Sequence, residues 1–228
     1  MRKVITAAFV SLDGVMQAPG GPDEDPTGGF RFGGWLAPCW DDVTGQAMDE
    51  TFAQPFDLLL GRKTYDIFAA YWPYVQLDRA APDFDAGMAG IAEAFGRAKK
   101  HVATHSKPVL SWKNSERLGD DAVAGVRRLK QGEGPVLLTQ GSADFLQSLL
   151  ATDLIDELRL LIFPLVLGKG KRLFGPGTQP AAFRQTRSTT SPQGVVIATY
   201  ERAGDVQTGS FASPEPSEAE LVRRRNLR

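Results

Sequence analysis

A nine-residue stretch predicts the fold of this chain: Asp57-Leu58-Leu59-Leu60-Gly61-Arg62-Lys63-Thr64-Tyr65. Its apolar run is typical of a short buried strand, and Gly61 interrupts that run. From Lys63 to Tyr71 the apolar side chains recur at helical spacing. A buried strand that turns directly into a helix is the beginning of a βαβ unit, so the stretch predicts an α/β protein.

The alternation of strands and helices continues on both sides of this stretch. Further strands are predicted at residues 4–10, 101–104, 136–139 and 157–163, and further helices at 41–52, 91–97, 122–131 and 143–151. Such alternation is typical of a mainly parallel sheet that helices cover on both faces. Residues 183–190 and 194–201 are again β-like, and no helix is predicted between them. They predict an antiparallel pair at the edge of the sheet.

The chain has 228 residues, which at about 150 residues per domain fits one large domain with an appendage. We assign residues 1–201 to the domain. Residues 202–228 hold few apolar side chains that would offset the entropy of ordering, so they predict a flexible tail. A short helix is expected to start near Ser217, and Arg223-Arg224-Arg225 is available to an acidic partner. A solvated terminus without a role is the alternative.

Composition excludes several classes of function. Lysine and arginine number 26 against 27 aspartates and glutamates, so no global field attracts nucleic acid or an anionic membrane. The longest apolar stretch, Leu160–Leu167, is interrupted by Pro164 and is far shorter than the roughly 18 residues that cross a bilayer. Cys39 is the one cysteine beside two histidines, so neither a disulfide nor a metal site is predicted. We expect a cytoplasmic protein.

Three strand-to-helix turns carry groups that suit phosphates. Open parallel sheets bind ligands beyond the carboxyl ends of their strands, where glycines allow close approach and helix N-termini offer free amides. The turns contain Gly61, Arg62, Lys63 and Thr64; Thr104, His105, Ser106 and Lys107; and Gly141, Ser142, Ala143 and Asp144. Asp144 is alternatively the N-cap of the helix that follows. Each turn by itself is weak evidence of a phosphate site, but together the three turns predict a phosphate-rich cofactor.

Longer motifs carry a family resemblance. Residues 4–14, 58–65, 141–142 and 156–174 resemble the dihydrofolate reductase-like superfamily. Within it they resemble the branch of the C-terminal reductase domain of the bifunctional riboflavin-biosynthesis deaminase/reductase. The resemblance extends from about Met1 to Glu201. It implies a three-layer αβα fold with a mainly parallel sheet, NADPH as the hydride donor, and a homodimer.

The resemblance also implies roles for the three turns. Gly61, Arg62 and Thr64 match the Gly-Arg-x-Thr turn that grips the cofactor's phosphates. Thr104, His105 and Ser106 match the site of the adenosine 2′-phosphate. Gly141 and Ser142 match a pair of glycines that faces the nicotinamide-side pyrophosphate, with Ser142 departing from that pair. The stretch Ser11-Leu12-Asp13-Gly14 matches the mobile loop beside the nicotinamide, which brings Asp13 to the substrate side.

The substrate side matches the family less well. Phe68-Ala69-Ala70 replaces the acidic residue, proline and later arginine that would read a ribosyl phosphate, and Gln140 replaces a glutamate. The zinc motif of the deaminase is missing. The stretch from Trp35 to Asp42 resembles the Trp-x-x-Pro-x-Asp opening of the substrate-side helix in dihydrofolate reductases, with the carboxylate displaced by one position. We expect Trp35, Trp40, Phe68 and the loop Gly20–Gly34 to form the substrate wall.

Asp41 is the first choice of proton donor, with helix N-capping as its alternative role and a bound water as its competitor. The leading hypothesis is an NADPH-dependent reductase that acts on a C=N or C=O bond of a pterin-, pyrimidine- or ribosylamino-type substrate. Dihydrofolate reductase activity is one alternative. A non-catalytic nucleotide-binding regulator on the same fold is another, and an assembly module that acts through the tail is a third.

Overall fold

The computed structural model describes residues 1–106, 109–211 and 215–227. One eight-stranded sheet runs through it in the order β4-β3-β2-β5-β1-β6-β8-β7. The strands are β1 Val4–Ser11, β2 Phe56–Gly61, β3 Lys100–Ala103, β4 Ser115–Arg117, β5 Val136–Thr139, β6 Glu157–Phe163, β7 Phe183–Thr190 and β8 Val196–Arg202. The helices are α1 Asp42–Phe52, α2 Arg62–Tyr71, α3 Ala86–Arg97, α4 Ala122–Gln131, α5 Ala143–Leu150 and α6 Glu218–Arg225.

Strands β1 to β6 pair in parallel, whereas β8 pairs antiparallel with both β6 and β7. The predicted mainly parallel sheet with an antiparallel C-terminal edge is therefore confirmed. Strand β4 was not predicted, because three residues are too few to show a period. Helix α3 begins five residues earlier than predicted, since the Asp85 carboxylate accepts a hydrogen bond from the Met88 amide and starts the helix there.

Alternate side chains of the central strands pack on opposite faces of the sheet. Leu59 is fully buried in a cluster with Leu146 of α5, whereas Leu58 and Leu60 are buried with Phe95 of α3. Side chains that are apolar at every position of a strand require a helical layer on each face. This double burial produces the three-layer αβα arrangement that the resemblance implies.

Strand order places the predicted turns side by side. Strands β3, β2 and β5 are neighbours and run in parallel, so their carboxyl ends lie along one edge of the sheet. The segments that leave these ends begin at Thr104, Arg62 and Gln140, and Gly61 is the last residue of β2. Lys107, which the sequence grouped with the first of them, lies outside the described residues.

The chain after β8 begins with two residues that still belong to the domain. The Ala203 amide donates to the Ala182 carbonyl, and the Gly204 carbonyl accepts from the Ala182 amide. Farther on, α6 starts after Ser217, whose hydroxyl accepts from the Glu220 amide, as the sequence predicts. Within the described ranges, no helix is both long and apolar enough to cross a membrane.

Candidate active site

A cleft of about 1360 Å³ opens where β3, β2 and β5 end. Pockets for small ligands usually measure about 300–1,000 Å³, so this cleft has room for a dinucleotide together with a second molecule. All of the predicted cofactor residues line it: Gly61, Arg62, Thr64, Thr104, His105, Ser106, Gly141, Ser142, Ala143 and Asp144. The structure thus brings the three turns together in one cavity.

Two helices point uncapped N-termini at this cleft. Four of the helices are capped by a side chain that accepts from their first turn, namely by Asp41, Asp85, Asp121 and Ser217. By contrast, α2 after Gly61 and α5 after Ser142 have no side-chain cap. Their first amides, with the positive ends of the helix dipoles, remain available to an anionic ligand.

Ser142 ties the two uncapped turns to each other. Its hydroxyl accepts a hydrogen bond of 2.7 Å from the Gly61 amide. A Cβ atom added to Gly61 would lie 2.7 Å from the Ser142 Oγ and 2.8 Å from its Cβ. Ser142 adopts a left-handed backbone with φ of 69°, and it stands at the N-cap position of α5. Asp144 lies inside the first turn of α5, so its alternative role as the N-cap is excluded.

Arg62 and Thr64 project from the first turn of α2. The Arg62 guanidinium forms an ion pair of 2.8 Å with Asp66 one turn later, and this hydrogen-bonded pair raises the Arg62 pKa. Thr64 packs beside the neighbouring turn, because a Cβ on Gly141 would lie 3.6 Å from the Thr64 Oγ1. The first turn of α2 therefore carries a fixed positive charge next to free amides.

Thr104, His105 and Ser106 form the wall of the cleft beyond β3. The hydroxyls of Thr104 and Ser106 lie 3.2 Å apart. Arg117 at the end of β4 supports the turn by donating to the Thr104 carbonyl at 3.3 Å and to the Asp120 carboxylate at 3.0 Å. Sequence reasoning missed Arg117, because its position beside Thr104 depends on the unpredicted pairing of β4 with β3.

Of the three aromatic residues predicted in the substrate wall, two line the cleft and one does not. Trp40 and Phe68 both lie in its wall. Trp35 is instead buried in the core, where its indole N–H donates to the Gln17 carbonyl at 2.8 Å and its ring packs on Phe163. The prediction of Trp35 as a wall residue is therefore corrected: it supports the loop from beneath. Gly20 and Gly21 of that loop do line the cleft.

Asp41 takes the capping role rather than that of a proton donor. Its carboxylate accepts from the amide and the hydroxyl of Thr44 and from the Gln193 amide. Partial burial opposes ionisation, but these bonds and one from Ser191 outweigh it and lower the Asp41 pKa to about 2. Such a carboxyl group carries no proton at neutral pH, and Asp41 is not among the residues that line the cleft. N-capping accounts for its contacts.

Asp13 also lies outside the cleft wall, which corrects its placement on the substrate side. Its carboxylate accepts from the Ser11 hydroxyl and from the amides of Leu167 and Gly168, and it pairs with Arg172. The bond from Ser11, with the others, lowers the Asp13 pKa to about 2. Asp13 thus fastens the end of β1 to the loop after β6.

The variant Asp13→Asn is expected to lose stability in a pH-dependent way. The pKa of the folded state is lowered, so the stabilisation is complete above the unfolded pKa near 4 and disappears as pH falls toward 2. We expect the free energy of unfolding to fall by about 1–2 kcal/mol at pH 7, and the difference from the unsubstituted protein to become smaller below pH 4. Urea unfolding at pH 7 and pH 3 measures it. Asp49→Asn, on the exposed face of α1, is the matched control, and an equal loss in both variants would contradict the role of Asp13.

Several charged residues of the cleft were not singled out from the sequence, among them Glu24 and Asp25 of the predicted wall loop and Lys171. Lys171 forms an ion pair with Asp25 at 2.5 Å. The Glu24 Oε2 accepts from the amides of Gly20 and Gly21. Burial raises the Glu24 pKa, the two amides lower it, and the nearby Asp25 charge raises it further, with a net rise. Glu24 is therefore a carboxyl group of the cleft that holds a proton more readily than an ordinary glutamate.

The sequence of this chain matches a known protein family over most of its length. Residues 2–197 match RibD_C, the RibD C-terminal domain. The chain belongs to this family. YyaP, an uncharacterized protein of Bacillus subtilis, is 26% identical over 208 residues, which are 89% of this chain and 96% of that protein. The RibD C-terminal branch that the sequence motifs resemble is therefore confirmed.

Several solved structures are similar in fold to this chain. A putative riboflavin biosynthesis protein from Shewanella sp. PV-4 is similar at a TM-score of 0.57 and 20% identity, over 88% of this chain and 99% of the other. A deaminase/5-amino-6-(5-phosphoribosylamino)uracil reductase from Thermotoga maritima is similar at a TM-score of 0.54 and 16% identity, over 89% of this chain and 57% of that one. Dihydrofolate reductase from Enterococcus faecalis is similar at a TM-score of 0.51 and 13% identity, over 88% of this chain and 96% of that one. These likenesses establish a dihydrofolate reductase-like fold.

Proposed function

We propose that this RibD C-terminal domain protein is an NADPH-dependent reductase of a C=N or C=O bond. The convergence of three phosphate-suited turns on one cleft is the observation that supports it most strongly. Membership in the RibD C-terminal domain family supports an oxidoreductase on independent grounds. Relatives of this fold with named activities include a reductase of a ribosylaminopyrimidine and a dihydrofolate reductase. The proposed acceptor is therefore a pterin-, pyrimidine- or ribosylamino-type ring.

The residues of the cleft fit the phosphates of a dinucleotide. The free amides of α2 and α5 and the cations Arg62 and Lys63 would hold the pyrophosphate. The hydroxyls of Thr104 and Ser106, with His105, would hold a 2′-phosphate. When bound there, NADPH supplies a hydride to the acceptor. The protein aligns donor and acceptor and excludes water from between them.

Reduction of a C=N or C=O bond also needs a proton. The capping bonds of Asp41 and its low pKa argue against this residue as the source. We assign the role to Glu24, whose Oε2 is held by two backbone amides and whose raised pKa favours a proton on the carboxyl group. Water that enters the cleft beside Glu24 would restore the proton after each turnover.

Titration of NADPH fluorescence, followed by absorbance at 340 nm with candidate acceptors, tests the proposal. We expect tighter binding of NADPH than of NADH, and loss of absorbance with 5-amino-6-(5-phosphoribosylamino)uracil, dihydrofolate or a related ring. The alternative, a non-catalytic nucleotide binder on the same fold, predicts quenching without consumption. No binding of NADPH at millimolar concentration would overturn both. The homodimer and the cytoplasmic location remain predictions, and light scattering measures the first.

Removal of the tail separates the reductase from an assembly module. Ala203 and Gly204 hydrogen-bond to Ala182, so a chain that ends at Asp205 keeps these contacts. We expect this truncated chain to retain near-full NADPH affinity and reductase activity. A loss of activity with unchanged thermal stability would favour action through the tail. A chain that ends at Glu201 is the control for damage to the β7–β8 edge.

A further inference from the structure

One end of the cleft has an aromatic wall. Its rings come from α1, α2 and the segments beside them, and Ile91 of α3 adds an aliphatic side chain. The rings are those of Trp40, Phe52, Phe68, Tyr71 and Trp72. Phe95 holds three of these rings from behind, stacked on Phe68 at 5.5 Å and edge-on to Phe52 and Trp72 at 5.2 and 5.0 Å. The wall is therefore a packed surface rather than a set of loose side chains, and it suits the face of a flat ring.

An acidic loop continues from this wall. The Leu36 amide donates to the Pro19 carbonyl at 3.3 Å, and Leu36 lines the cleft between Trp40 and the loop. Along the loop, the consecutive acids Asp23, Glu24 and Asp25 all face the same cavity. An anionic group of the acceptor would have to lose water beside these carboxyl groups.

The cations of the cleft belong to the α2 turn or to an ion pair, as far as the structure describes its lining. Of the lysines and arginines that line it in the described part of the chain, Arg62 and Lys63 belong to the α2 turn that suits the cofactor's phosphates. Lys171 is paired with Asp25. Phe68-Ala69-Ala70 stands where the resemblance implies residues that would bind a ribosyl phosphate, and Phe68 lines the wall. Among the described lining residues, a phosphate on the acceptor would therefore meet carboxyl groups and rings, with no lysine or arginine beyond the α2 turn and the Lys171–Asp25 pair.

We propose that the acceptor is a flat heteroaromatic compound that carries no phosphate. This inference rests on the proposed reductase function and narrows it: rings with a free hydroxyl or a neutral side chain are bound, and their phosphate esters are discriminated against. The ring lies against the aromatic wall, and its N–H groups face the acidic loop, where carboxylate oxygens accept hydrogen bonds. The reaction that supplies the acceptor must then deliver a dephosphorylated or never phosphorylated ring.

Matched pairs of rings with and without a phosphate provide the test. The full chain, saturated with NADP⁺ so that no turnover occurs, is titrated with riboflavin and with FMN by flavin fluorescence, and with uridine and UMP by tryptophan fluorescence. We expect the phosphate-free partner to bind at least about tenfold more tightly, because the phosphate meets the acidic loop and the described lining offers it no cation outside the α2 turn and the Lys171–Asp25 pair. Equal or tighter binding of the phosphate ester, or no binding of any ring at millimolar concentration, would overturn the inference.

A charge placed in the wall sharpens this test. Tyr71 lines the cleft and is 52% exposed, so Tyr71→Arg adds a cation there without opening the core. We expect FMN to gain about tenfold in affinity relative to riboflavin. Tyr74 is 80% exposed, and it lines a smaller neighbouring pocket, which Tyr71 also borders, but not the cleft. Tyr74→Arg is thus the matched control for charge alone. Equal effects of the two variants would refute a phosphate-excluding wall at Tyr71.

Different results would contradict the proposed reductase function and the inference about its acceptor. The affinity for NADP⁺ is measured on the same samples before any ring is added. Absence of NADP⁺ binding would remove the reductase proposal itself. Normal NADP⁺ binding with a preference for phosphate esters would remove only the inference about the acceptor.

Discussion

Replacing Gly61 by alanine is expected to lower the affinity for NADPH by about 10–100-fold and to destabilise the fold by about 1–3 kcal/mol. The new methyl group would lie 2.7 Å from the Ser142 Oγ and 3.2 Å from the Phe145 Cβ, so the turns of α2 and α5 must move apart. Both uncapped N-termini shift together when that happens. Titration of NADPH fluorescence and urea unfolding measure the two losses.

A second substitution tests whether this contact is the cause. In Gly61→Ala/Ser142→Gly the two closest contacts of the new methyl group are gone and only the milder one with the Phe145 Cβ is left. Glycine also adopts the left-handed backbone of position 142 without strain. We expect most of the affinity and stability to return, apart from the hydrogen bond that Ser142 made. Gly90→Ala, on α3 with open space around it, is the control for the substitution itself. A double variant as weak as Gly61→Ala would contradict the proposed contact.

The elements of the fold were predictable where the local pattern is strong. The bounds of α4, β5 and β6 agree with the sequence prediction, because each segment has a clear period and a clear break at both ends. Strand order was not predictable in this way. The position of β5 between β2 and β1 depends on pairing between residues such as Phe56 and Val136, which no local pattern encodes.

The candidate site was predictable where backbone geometry determines it. A turn between a parallel strand and a helix must lie at the carboxyl edge of the sheet, so all three turns line the cleft. Side-chain direction was not available from the motifs. Asp41 and Trp35 match a motif in spacing, yet one caps α1 and the other is buried against Phe163.

The charges of the cleft were missed for a similar reason. Asp25 and Lys171 are 146 residues apart in the chain and meet only because the loop after β1 folds over the loop after β6. Glu24 differs from an ordinary surface glutamate mainly through the burial that this arrangement imposes. Sequence separation of this size leaves no signal in composition or periodicity.

Removing the guanidinium in Arg62→Ala is expected to raise the dissociation constant for NADPH by about 10–100-fold. A hydrogen bond to a charged group contributes about 1.5–3 kcal/mol, and this contribution is lost when the cation beside the free amides of α2 is removed. The fold should barely respond. The ion pair with Asp66 joins side chains that are 37% and 51% exposed, and such pairs contribute about 0.3–0.5 kcal/mol.

Asp66→Ala is the control that separates cofactor binding from stability. Both variants remove the same ion pair, so their unfolding midpoints should shift alike. Their effects on NADPH should be opposite, because Asp66→Ala keeps the guanidinium and frees it from its carboxylate partner. We therefore expect unchanged or tighter binding in Asp66→Ala and weak binding in Arg62→Ala, each measured by fluorescence titration. If the two variants weaken NADPH binding equally, Arg62 acts through the structure of α2 and does not contact the phosphates.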